Sequence, residues 1–205
     1  MGDPGAFQHQ MRHARPAQMR AHRDPGLTAA DDQRIGCFNC HARAGVGAVA
    51  SQNVTDPRLG PLALDLMAEG LGTARAIAAV RARGRHIDYQ QALPVDGQGR
   101  TALHSGSNAL GIWAEARGAD VASGGNLLAD AGVPAAIAAG FHSATGHIGD
   151  RLLAAMQAGW QRGAGGEPAP IHSAGLKMVD GVSWPAADLR CDRTEGCPIA
   201  AVAPA

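Results

Sequence analysis

The sequence predicts an α+β fold of helical layers over antiparallel sheets, and three observations carry that expectation. Runs with helical apolar spacing come in two pairs, extended runs come as hairpins around glycine-bearing turns, and the two kinds of element alternate in groups. A parallel doubly-wound sheet would need strand and helix to alternate one for one, and a helical bundle would lack the hairpins. At 205 residues the chain has the length of one ordinary domain.

Residues 1–36 mix Gly, Pro, His and Arg with no sustained apolar period, which predicts a solvated tail outside the core. From Ala44, the stretch AGVGAVASQN reads as a buried strand of small residues, with Val46, Ala48 and Ala50 alternating against Gly45, Gly47 and Val49. The turn-forming NVTDPRLGP follows, and Leu59, Leu62, Leu66 and Met67 then recur at helical spacing as far as Gly70. A second helix is expected over Thr73 to Arg83, with Ala74, Ile77, Ala78 and Arg81 on its face and Gly84 as its stop. Two extended runs, roughly Tyr89 to Val95 and Arg100 to Ser107, flank Asp96-Gly97-Gln98-Gly99, whose glycines permit the positive φ angles of a tight hairpin. A short strand near Asp120 to Ser123 leads into Gly124-Gly125-Asn126. Pro134 suits the first turn of a third helix, with Val133, Ile137, Ala138 and Phe141 on one face. The fourth helix carries Ile148, Leu152, Met156 and Trp160 spaced by four, and Leu153 widens the stripe. A last hairpin joins IHSAGLKMV to VSWPAADLR around Asp180-Gly181, and Pro185 puts its second strand at an edge.

The 18 basic and 18 acidic side chains balance and are interspersed, so no stripe exists to neutralise phosphates and nucleic acid is excluded as a partner. With 45% hydrophobic and 18% charged residues the bulk reads as globular. The 28 glycines and the 3% aromatic content favour close packing through small side chains and fit a GC-rich bacterial gene. No run reaches the roughly 18 apolar residues that span a bilayer, and no apolar segment follows the basic residues of the N-terminus. The expectation is a cytoplasmic protein with no membrane partner.

Cys37-Phe38-Asn39-Cys40-His41 spells C-x-x-C-H, the pattern of covalent haem attachment with the histidine as axial ligand. Such attachment follows export, for which no signal is seen, and the segment behind the motif reads as strand where c-type cytochromes have helix. A structural zinc would need Cys191 and Cys197 to complete the set, but C-x5-C is a poor ligand spacing. A redox C-x-x-C would follow a strand and open a helix, and a disulfide framework does not suit a reducing cytosol. His9, His13 and His22 lack regular ligand spacing and carboxylate companions. The expectation is no metal and no cofactor, with the cysteines unassigned.

Taken together, ARAGVGAVASQNVTDPRLGPLALDLMAEGL, ALPVDGQGRTALHSGS, ASGGNLLADAGVPAAIAAGF and RLLAAMQAGWQRG resemble one bacterial family, domain of unknown function 1028, regarded as N-terminal-nucleophile (Ntn) hydrolase-like. The resemblance covers about Ala42 to Asp192, so the expected organisation is a domain over 42–192 between the tail 1–36 and a flexible C-terminal tail 193–205. It implies a four-layer αββα sandwich. It also implies amide-bond hydrolysis on a small molecule, at a non-peptide C–N bond, by a first-residue Thr, Ser or Cys whose own α-amino group is the base. An α-amine with a pKa near 8 suits that task. Members of the family open on Met-Thr, whereas residue 2 here is Gly2, and residues 1–36 match neither the opening strand nor the hairpin after it. The expectation is therefore a domain incomplete at its N-terminus and inactive as written, either through a truncated or frame-shifted gene start or because the protein has left the chemistry. Cleavage between Gly36 and Cys37 would be one way to expose a thiol beside a new amine. The rival is a non-catalytic binding or assembly protein on the same sandwich, in keeping with fimbrial-type names in the family. The partners implied are a small-molecule substrate or further copies of the chain.

No nucleophile is identified, and the candidate site residues lie at strand ends. Ser51, Gln52 and Asn53 close the first strand, where they either face a cleft or simply satisfy the strand end. Gly124 and Gly125 with Asn126 either place a backbone N–H and an amide near a developing oxyanion or are ordinary loop residues. His172 and Ser173 are adjacent in a strand, so they point to opposite faces and cannot serve each other.

Overall fold

A computed structural model describes residues 40–54, 56–163, 171–182 and 184–203. The expectations for residues 1–36 and for Cys37 lie outside these.

The first sheet has the antiparallel order β1-β2-β3-β4, built from β1 (Cys40–Arg43), β2 (Gly47–Asn53), β3 (Gln90–Asp96) and β4 (His104–Ser105). Residues 47–52 of β2 are buried whichever way they point. Val49 packs toward α1 (Leu59–Ala68) and α2 (Thr73–Arg83), against Leu59, Leu64 and Val80. Ala50 packs the other way, against Leu93, Val95 and Ala122. A strand covered on both faces needs small or branched apolar residues throughout, which is what GAVAS supplies.

On that second face lie two hairpins, β5 (Ala114–Gly118) with β6 (Val121–Gly125), and β7 (Ala174–Val179) with β8 (Pro185–Cys191). Ala122 of β6 meets Leu93, and Val179 of β7 meets Ala48. The far side of the hairpins is covered by α3 (Val133–Ser143) and α4 (Ile148–Gly163) through Val121, Ile137, Phe141, Leu152 and Leu176. Asp130, just before α3, bonds Arg162 near the end of α4 at 2.8 Å. That guanidinium, with the Gly132 N–H, holds the Asp130 carboxyl below the ordinary aspartate range.

Several sequence expectations are corrected. The extended run expected at Arg100 to Ser107 forms a strand only at His104–Ser105, with an isolated bridge between Val95 and Thr101. Pro94 explains the gap: its carbonyl accepts the Ala102 N–H at 3.3 Å, so its nitrogen, which has no hydrogen, faces the same neighbour and breaks the ladder there. The face of α2 is Thr73, Ala76, Ile77 and Val80, and Ala74, Ala78 and Arg81 are exposed, because Ile77 and Val80 are its two large apolar side chains. Trp160 leaves the α4 stripe and is 38% exposed. Four-residue steps drift about 40° each on a 3.6-residue helix, so three steps carry it roughly 120° around. The strand near Asp120 proves to be the second arm of a hairpin whose first arm, AEARG, has no branched residue to announce it. The C-terminal stretch expected as a flexible tail holds α5 (Pro198–Val202), with Ile199 and Val202 buried beside α4 and β7. Among the described residues no helix is long and apolar enough to cross a membrane.

Candidate functional site

The end of β2 and the start of β3 bring polar side chains between the first sheet and the β5–β6 hairpin. Gln52 and Gln91 are cross-strand partners and therefore share a face. The Gln52 Nε2–H donates to Gln91 Oε1 at 2.8 Å, and Gln91 Nε2 donates to Ser105 Oγ at 2.9 Å and to the Gly125 carbonyl at 3.3 Å. The Ser105 hydroxyl in turn donates to Glu115 Oε2 at 2.5 Å. Every donor points the same way, from a buried carboxamide toward an exposed carboxylate. Such a chain polarises along its length, since each acceptor becomes a better donor. Gln91, its hub, is fully buried.

Asn53 ends β2 with φ +75°, a left-handed conformation that asparagine tolerates better than most residues. Its Nδ2 donates to the Tyr89 carbonyl, and its Oδ1 accepts from Asn126 Nδ2 at 3.1 Å. Asn126 follows β6 and is buried. The loop after Asn53 is fastened by Asp56, whose carboxyl is held below its ordinary range chiefly by the side-chain hydrogen bond from Arg58, 2.6 Å away.

The structure thus brings the adjacent Gln52 and Asn53 together with the adjacent Gly125 and Asn126, 73 residues further along the chain. Ser51 does not join them. It sits on the face of β2 that carries Val49, toward the helices, and its buried Oγ has no hydrogen-bond partner among the described residues. Gly124 contributes space: a Cβ there would lie 3.1 and 3.2 Å from the Leu93 methyls. Gly125 engages the site through its carbonyl. Gln91, Ser105 and Glu115 were missed by the sequence reading, although the doubled glutamine opening an apolar strand was a usable signal. His172 bonds the Thr194 carbonyl at 3.0 Å and belongs to the C-terminal segment.

Apolar side chains are exposed along segments that these same bonds tie together. Val54 and Tyr89 follow and precede the strand ends, and Leu110, Ile112 and Trp113 lead into β5. The Leu110 and Ile112 carbonyls accept from Leu127 and Leu128, directly after Asn126. A separate cavity of about 410 Å³ lies at the opposite end of the first sheet, between the β1–β2 turn, the end of α1 and Arg100. None of the candidate residues lines it.

As for the sequence motif, Cys40 and His41 stand on β1, with the imidazole against Gly60 of α1. Among the described residues no three His, Cys, Asp or Glu side chains gather as a metal site.

The elements define a mixed α/β protein of small antiparallel sheets and helices with a polar cluster between two sheets. It belongs to the family of unknown function DUF1028, which matches residues 27–202. It is similar to the crystal structure of a Silicibacter pomeroyi protein of the same family, with a TM-score of 0.70 and 25% identity over 80% of this chain and 73% of that one. No curated protein matches the chain.

Proposed function

We propose that this domain is Ntn-hydrolase-like and that the cluster around Gln52, Gln91, Asn53 and Asn126 receives a small molecule through its amide group. The order of packing supports the fold reading: helix pair, four-stranded sheet, two hairpins, helix pair, as in a four-layer αββα sandwich. The observation that carries the function is the one-directional hydrogen-bond chain from Gln52 to Glu115. Carboxamides supply both a donor and an acceptor, which is the complement of an amide ligand, and donors held before the reaction stabilise an oxyanion at no reorganisation cost. In this reading Asn126 is the oxyanion donor, and the reaction class is hydrolysis of a non-peptide C–N bond.

The test is a screen of the purified chain against small linear amides and cyclic imides, with products read by mass spectrometry. Binding of at least one is expected, and any turnover should fall about 10²-fold in Asn126→Ala. Absence of turnover across the panel, with ligand binding retained, would favour a non-catalytic binding or assembly protein. The exposed Val54, Tyr89, Leu110, Ile112 and Trp113 are the observation on the side of that second reading.

A further inference from the structure

Glu115 is the one member of the polar chain that faces solvent. Strand alternation explains it: Ala114 and Ala116 pack on the core under α3, which turns Glu115 to the opposite side of β5, over Ser105. Its cross-strand partner is Gly124, so no neighbouring side chain crowds it from β6. Among the described residues it forms no ion pair, although seven other pairs do form, and Arg117, two residues on, makes none with it. The Ser105 hydroxyl occupies Oε2. Two residues before Glu115, just ahead of β5, stands Trp113, 37% exposed.

The geometry points to a cationic substrate class: a small amide carrying an ammonium or guanidinium group, held between the Glu115 carboxylate and the Trp113 ring. The inference rests on reading the interlayer cluster as the binding site. A carboxylate with an oxygen left to accept and an aromatic face beside it are the two elements that recognise organic cations. The relay sharpens the effect, because the Ser105 O–H fixes the carboxylate in one orientation before the ligand arrives. An anionic ligand would meet the negative charge of Glu115 at closest range, with Arg117 two residues further along β5, and a neutral one would leave that charge unused.

The experiment titrates the purified chain with two probes of matched length, guanidinobutyramide and ureidobutyramide, which share the amide and differ in charge. Ligand-observed NMR and calorimetry read binding, not turnover. The guanidinium probe is expected to bind about tenfold more tightly, from a partly exposed ion pair plus one cation–π contact. That preference should shrink as salt is raised. Glu115→Gln, which can still accept from Ser105, should reduce it to about twofold or less. Equal affinities, a preference that survives Glu115→Gln, or no binding of either probe at millimolar concentration would overturn the inference. Failure of the amidase reading alone would appear differently, as charge-selective binding without hydrolysis. If Asn126→Ala changes the affinity of neither probe, the site reading beneath both is wrong.

Discussion

A carboxamide buried without partners costs more than its hydrogen bonds return, so the contacts of Gln91 and the solitude of Ser51 make opposite predictions. Gln91 sits between two sheets and bonds Gln52, Ser105 and the Gly125 carbonyl. Gln91→Leu keeps much of the shape but strands a buried donor on Gln52 and a carbonyl on Gly125. It should lower unfolding free energy by about 2–4 kcal/mol. Ser51 pays the desolvation of a hydroxyl with no partner among the described residues. Ser51→Ala should be neutral or stabilising by up to about 1 kcal/mol. Urea melts of both variants check this, and a Ser51→Ala loss matching that of Gln91→Leu would show that Ser51 has a partner after all. At this scale the sequence was half legible. Gln52, Asn53 and Asn126 stood out because polar residues interrupt apolar strands at their ends. Glu115 did not, because a charged residue in AEARG is what any solvent-facing strand position shows, and only the pairing with β6 places it over Ser105.

Elements were legible wherever large apolar residues recur with a period. The face of α3 is the one expected, Val133, Ile137, Ala138 and Phe141, and Ile148, Leu152, Leu153 and Met156 of α4 are buried as their spacing implies. What periodicity cannot reveal is how closely two faces approach, because a glycine adds nothing to an apolar stripe. At Gly159 of α4 a Cβ would stand 2.6 and 2.7 Å from Ile137 side-chain atoms, and at Gly140 of α3 it would stand 2.6 Å from the Ala158 Cβ. The two helices touch through these bare positions. Alanine raises intrinsic helix propensity by about 1 kcal/mol over glycine, but overpacking a tight contact costs about 1–3 kcal/mol. The clash should win, so Gly159→Ala is expected to destabilise by up to about 2 kcal/mol on balance. Thermal unfolding of Gly159→Ala beside Ala78→Gly, at an exposed position of α2 where only propensity changes, separates the two effects. An increase in stability at Gly159 would mean the helices can move apart freely.

At the scale of the molecule the apolar burial is unevenly shared, and that unevenness should set the order in which parts open. Among the described residues, the cluster of α3, α4, α5 and the two hairpins gathers sixteen buried apolar residues, including Phe141, Ile137 and Leu152. The cluster of α1 and α2 on the first sheet gathers eight, of which two are alanines. Between the sheets, the buried apolar residues among those described are Ala50, Leu93, Val95 and Ala122 in one patch and Ala48 with Val179 in another. Each buried aliphatic side chain contributes about 1.5–3 kcal/mol, so the helical half holds the larger reserve and the seam between sheets the smaller. Local openings follow such reserves, with contiguous units exchanging together. Native-state hydrogen exchange should therefore show the α3 and α4 amides protected to near the global free energy while those of α1 and α2 exchange by a lower-energy opening. Leu93→Ala, which empties the seam, should cost about 2–4 kcal/mol and widen that gap, because it unties the first sheet from β6 without touching the helical cluster. If α1 and α2 instead exchange in step with α4, before and after the substitution, the seam is strong enough to make the molecule one cooperative unit. The polar chain from Gln52 to Glu115 crosses that same seam, so a ligand bound across it should slow exchange in α1 and α2 more than in α4.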